Sequence, residues 1–292
     1  MSCKASDALI LLNSCHLVGF FSVSREPSLD MLKCYVHRSP LLCVPIILLG
    51  ADSLLMLLFF VALRLLFESL SSDRLRRLVL FENFDQTYAA SLSHTISDYN
   101  PVRISSSHVS QAVANASLTL NHLSASFIVD ASHFFDARER SWKWPNLTWL
   151  ALTSRLLVPE ERPTELDNML QAAAAAAMNM PNLKTMEIWN GEKGLAMLFK
   201  YQRAERGQPA VITWRGTWKL TLRPFVIEAW DSVALKHCRQ EHIIVKGFLE
   251  AGACIKSHGD AISHLKLSKP VIRPVSLRQI QMEHIVREGV RS

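Results

Sequence analysis

The chain has 292 residues, of which 49% are hydrophobic, 20% charged and 8% aromatic, and its formal net charge is +6. A chain of this length buries most of the surface its unfolded form exposes, and the composition excludes wholesale disorder, collagen and coiled coil. The charge is unevenly placed: residues 1–70 hold five basic and five acidic side chains, residues 71–235 hold 17 and 16, and residues 236–292 hold ten and five.

At the amino end, Lys4 is followed by a short apolar run broken by Asn13, Ser14 and His16, a poor match to a cleavable signal peptide. Four of the cysteines, Cys3, Cys15, Cys34 and Cys43, crowd into this region, with Cys238 and Cys254 far downstream and no CxxC pair. Such spacing suits neither a zinc knuckle nor a disulfide framework, and a reducing interior, cytoplasm or nucleus, fits best. From Leu41 to Phe67, 22 of 27 residues are apolar. That is long enough to cross a bilayer, which needs about 20 apolar residues. Its leucine, isoleucine, valine and phenylalanine side chains, at about −0.3 to −0.6 kcal/mol each, outweigh a buried Asp52 at about +3 kcal/mol. Against a span stand Pro45, Gly50 and Asp52, which divide the block into two short pieces better suited to a buried hairpin or to a segment outside the working fold.

Beyond this block a pattern recurs: an apolar residue, a second three positions on, a third two further. It appears at Leu75, Leu78 and Leu80; at Leu120, Leu123 and Ala125; at Leu147, Leu150 and Leu152; and at Leu183, Met186 and Ile188. This is the Leu-x-x-Leu-x-Leu core of leucine-rich repeats, in which alternate side chains of a short strand enter a solenoid core. The starts lie 45, 27 and 36 residues apart, wide and uneven against the roughly 20–29 of a regular repeat. Between the strands, Thr164 is placed to cap a helix with Asp167 three residues on. Leu166, Met169, Leu170, Ala173 and Ala177 then share one face, and Pro181 closes the helix. Pro224 suits the first turn of a second helix burying Phe225, Ala229, Trp230 and Val233. Strand, helix, strand predicts an α/β fold, an irregular leucine-rich-repeat-like solenoid.

No constellation in the chain matches a known catalytic plan. Arg215 between Trp214 and Trp218 has the makings of a clamp for an anionic or planar ligand, but such a segment is more often a strand and turn with the arginine shielding the rings. Ser257-His258-Gly259-Asp260 with His264 is the one sequence that suggests an enzyme. It lacks both the nucleophile turn of GxSxG and the HExxH of zinc proteases. Asn190-Gly191-Glu192-Lys193-Gly194 is not followed by the GK[ST] of a phosphate loop. The basic tail (Lys256, Lys266, Lys269, Arg273, Arg278, Arg287, Arg291) is interleaved with Asp260, Glu283, Glu288 and apolar residues, so it reads as solvated faces and not as a nucleic-acid stripe.

Several strings are long enough to carry a resemblance: LRRLVLFENF (75–84), NASLTLNHLSASFIVDASHFF (115–135), WPNLTWLALTSRLL (144–157), MPNLKTMEIWNG (180–191), ITWRGTW (212–218), and IKSHGDAI (255–262) with PVSL (274–277). Together they resemble the carboxyl-terminal part of an uncharacterised domain family of filamentous fungi, often described as F-box-like with leucine-rich-repeat character. The resemblance covers about residues 67–292, and residues 1–66 form an unmatched apolar segment that contains nothing like an F-box. It implies a non-enzymatic substrate receptor whose repeat region holds a partner protein, and which reaches a ubiquitin-ligase scaffold only where an F-box is supplied. It assigns no catalytic, cofactor or metal residues. The expected binding surface is the set of exposed side chains beside the strand positions: Arg76, Arg77, Trp149, Thr153 and Trp189. Two other classes stand beside this reading, a membrane-anchored protein with its span near 41–66 and an enzyme built on His258 and Asp260.

Overall fold

The four motif copies fold as four neighbouring strands in register. In the computed structural model, Leu78, Leu123, Leu150 and Met186 stand opposite one another, as do Leu80, Ala125, Leu152 and Ile188, each almost wholly buried. The structure describes the backbone of residues 8–9, 19–25, 31–38, 75–83, 107–159, 163–204, 208–219, 221–238, 242–249 and 255–291, and side chains within residues 75–282 of that set except 242, 243 and 248. The apolar block at 41–67 lies outside these residues. Among those described, no helix is long and apolar enough to cross a membrane.

The described strands are β1 (Ala8–Leu9), β2 (Gly19–Arg25), β3 (Met31–Arg38), β4 (Arg77–Asn83), β5 (His122–Asp130), β6 (Trp149–Thr153), β7 (Thr185–Glu192), β8 (Leu195–Gln202), β9 (Ala210–Gly216) and β10 (His242–Phe248). They form one open, mixed sheet in strict chain order. Pairing is antiparallel from β1 to β3, parallel from β3 to β7, antiparallel from β7 to β9, and parallel again to β10. The α/β class expected from the sequence is therefore what the chain adopts, with β4–β10 forming a seven-strand mixed sheet within the repeat region. The sheet also takes in β1–β3, from the segment that matches no motif.

A second ladder ties the strand entrances together. Asn121 N–H donates to the Arg76 carbonyl, Thr148 to Asn121, Lys184 to Thr148 and Arg203 to Lys184, each at 2.8 Å. Each donor from Asn121 to Lys184 sits one place after the first apolar residue of its motif, so the repeat fixes backbone pairing as well as core packing.

One face of the sheet is covered by helices α1 (Ser107–Ala116), α2 (Ala131–Asp136), α3 (Pro163–Ala177) and α4 (Pro224–Cys238). In α3, Leu166, Met169, Leu170, Ala173 and Ala177 are buried as their spacing predicts. The alanine run removes bulk and lets the helix lie close to its neighbours. Two local expectations fail. Helix α3 begins at Pro163, so Thr164 lies inside its first turn, and buried Asp167 pairs with the Arg223 guanidinium at 3.0 Å instead of completing a cap. In α4, Val226, Trp230 and Val233 turn inward while Phe225 is exposed, because the inward stripe starts one residue later than supposed.

The strand, helix, strand rhythm also breaks after β7. Strands β7 and β8 form a hairpin closed by Lys193-Gly194, with Gly194 at φ +78°, where a glycine carries no steric penalty. The opposite face of the sheet is not open either. Helix α5 (His258–Leu265), the following segment and the start of α6 (Pro274–Arg291) lie against it, burying Phe81, Phe127, Trp149, Trp189 and Leu198 with Ala261, Leu265, Val271 and Ile272.

Candidate functional site

The residues expected to form an exposed binding surface divide into two groups. Arg76 is exposed and Arg77 half-buried at the entrance of β4, and register carries that row through His122 to Trp149. Thr153 and Trp189 pair with each other four residues further along their strands, about 13 Å away at the usual rise. Trp149 and Thr153 are 4% exposed and Trp189 is 0% exposed. Their expected exposure is corrected by the carboxyl-terminal cap, which seals the face they share.

Thr153 and Trp189 serve packing. Thr153 Oγ1 accepts a 2.7 Å bond from the Phe127 amide and donates to the Val129 carbonyl at 3.2 Å. These bonds hold Phe127 at φ 67°, a left-handed backbone that an aromatic residue adopts only when its surroundings over-determine it. The bulge breaks the β5–β6 register between Ala125 and Asp130 and drives the Phe127 ring edge-on into Trp189 at 5.1 Å, Phe81 at 5.7 Å and His258 at 5.5 Å.

The residues weighed as an enzyme centre are engaged structurally. Asp260 Oδ2 accepts from the Ser257 and Lys256 amides at 3.1 Å each, while Ser257 Oγ accepts from the Asp260 amide at 3.2 Å. This is a reciprocal capping box at the start of α5. His258, in the first turn, is buried against Phe81 and Phe127. Arg215 points to the face opposite Trp214, whose ring meets Trp218 edge-on at 5.5 Å, so no arginine lies between the two indoles. Gly191 is needed for close approach: a methyl there would run into Ala261 Cβ of α5. Among the described residues, no group of three or more His, Cys, Asp or Glu side chains is placed to hold a metal ion.

What the strand entrances do assemble is a cleft of about 130 Å³ between β6, β7, β8 and the segment after α5. Its floor is the Trp149 indole, its walls are Thr148, Thr185, Gln202 and Ser268, and Lys184 and Lys269 stand at its mouth. Glu187, fully buried behind it, fixes the floor and one wall. One carboxylate oxygen accepts from Trp149 Nε1 at 3.1 Å, and the other accepts from the Ser268 amide at 2.8 Å with the Lys200 ammonium 4.0 Å away. The Lys269 ammonium lies 3.2 Å from His122 Nε2 and 5.5 Å from the centre of the Trp149 ring. Burial, with the Arg77 and Lys184 cations next in weight, holds Lys269 below the usual lysine range, while Glu187 pulls the other way.

Of the expected surface residues, Arg77 and Trp149 belong to this neighbourhood. Lys184, Glu187, His122 and Ser268 escaped the sequence reading, and Lys269 entered it only as part of the solvated basic tail. One signal was present for Lys184: it occupies the same motif position as Arg76, Asn121 and Thr148, one place after the first apolar residue.

These features define an α/β domain with an open mixed sheet, helices on one face, a carboxyl-terminal cap on the other, and a basic cleft at the strand entrances. The chain belongs to the family of unknown function DUF6546, whose model matches residues 69–273. No curated protein and no solved structure matches the chain significantly.

Proposed function

We propose that this chain is a non-enzymatic protein-interaction module, built on the plan of leucine-rich-repeat substrate receptors of the F-box kind. The observation that carries this reading is the stacking of four sequence motifs as adjacent parallel strands, residue on residue, in chain order. Solenoid proteins use such stacking to present one side chain per repeat along a continuous surface. Here the line is the row of strand entrances from Arg76 to Lys184, since the cap seals the broader face. The engagement of Asp260, His258 and Glu187 in capping, packing and positioning is consistent with binding rather than chemistry.

The test is affinity purification of the full chain from cells that express it, quantified against an empty-tag control. A partner retained in near-stoichiometric amount is the expected result. A ligase scaffold in the same preparation supports the degradation role and its absence removes that role. Recovery of the chain alone contradicts the interaction reading.

A further inference from the structure

The cleft at the strand entrances sharpens this reading by giving the partner a chemistry. Lys184 and Lys269 line the cleft with Trp149, the Lys269 ammonium 5.5 Å from the centre of the indole, and Arg77 stands two strands away from β6 in the same row. The stem of a lysine can normally carry its charge out to water. Lys269 is exposed and does so, with its ammonium 3.2 Å from His122 Nε2 and 5.5 Å from the centre of the Trp149 ring. Hydroxyl and amide groups of Thr185, Ser268 and Gln202 add donors between the cations.

From this geometry we infer that the strand-entrance cleft is a docking site for an acidic segment of a partner protein, with one carboxylate seated in the cleft between Lys184 and Lys269 and further carboxylates following the row toward Arg77 and Arg76. The extent of the row favours a chain over a free ion. From β4 to β7 is three strand spacings, about 14 Å, more than a single small anion can bridge and a natural span for alternate side chains of an extended peptide. Charge complementarity of this kind chiefly sets specificity and association rate.

The inference rests on the interaction reading, and the experiment separates the two. A fluorescein-labelled hexaglutamate peptide, with hexaglutamine as control, is titrated into the full chain at fixed ionic strength and followed by anisotropy. Saturable hexaglutamate binding is expected, at least tenfold weaker in Lys184→Gln and Lys269→Gln and unchanged in Lys246→Gln, an exposed lysine on β10. Equal binding by all variants, or no binding at all, overturns the site. Complete displacement of the peptide by stoichiometric inorganic phosphate also overturns it, by showing a small-anion pocket instead. If the peptide fails while affinity purification still retains a partner, the cleft is refuted and the interaction module stands.

Discussion

Exchanging one methyl group between the sheet and helix α5 examines the arrangement that decides which surfaces are available. Gly191 on β7 faces Ala261 in the middle of α5, and a Cβ on Gly191 would collide with the Ala261 methyl, with a Trp189 ring carbon at 3.4 Å and the His258 Cα at 3.8 Å. Both flanking groups are buried, so Gly191→Ala must push the helix outward, an overpacking cost of about 1–3 kcal/mol. Ala261→Gly alone costs about 1 kcal/mol in helix propensity, and more for the buried methyl it removes. If the two groups oppose each other as described, the double variant regains most of the overpacking term. It should then be no less stable than Ala261→Gly by more than about 0.5 kcal/mol, a coupling on the order of 1–3 kcal/mol. The assay is equilibrium urea denaturation of the four proteins, read from the shift in midpoint at constant slope. Additive single changes would mean that α5 does not rest on β7 at this point, and the burial of Trp149, Thr153 and Trp189 would lose its explanation.

Three further outcomes follow from particular contacts. Leu150, fully buried between Leu123 and Met186 at the centre of the aligned motifs, should cost about 2–5 kcal/mol on truncation to alanine by the same denaturation assay. Lys266 caps α5 from the left-handed region at φ 53°, so Lys266→Gly should raise stability by about 0.5–1 kcal/mol, against the usual loss on introducing glycine. His237, bonded through Nε2 to the Ala177 carbonyl at 3.0 Å, is held below its ordinary value of 6.5 chiefly by burial, despite that bond, with Arg203 and Lys236 adding to the shift. The unfolded chain therefore takes up this proton before the folded one. Its contribution is complete above pH 6.5 and is lost as pH falls below it, so His237→Gln should flatten the decline in stability between about pH 7 and 5.

The fold was most legible where local periodicity and tertiary role coincide. Leu78, Leu123, Leu150 and Met186 could be aligned from spacing alone because strand register and side-chain alternation have the same period. The helix faces of α3 and α4 were legible for the same reason, apart from the one-residue displacement that exposes Phe225. Covering of the second face was not legible. The elements that bury Trp149 and Trp189 come from α5 and the segment after it, far along the chain, and an alternating strand does not show whether its outer face meets water or a later helix. Ser257-x-x-Asp260 was visible as a pattern, but its residues equally suit capping and catalysis, and only the reciprocal hydrogen bonds separate the two. The cleft was the least legible feature, because Lys184 and Lys269 meet only through the fold, and neither the motif position of the first nor the basic tail around the second points to the other.

Cross-linking mass spectrometry on the complex isolated from cells tests the central claim most directly, because it reports both whether a partner binds and where. The account predicts links from Lys184 and Lys269 to acidic stretches of the partner through a carboxylate-to-amine reagent. Links confined to lysines elsewhere, such as Lys143 or Lys236, or no links to any second protein, would contradict it.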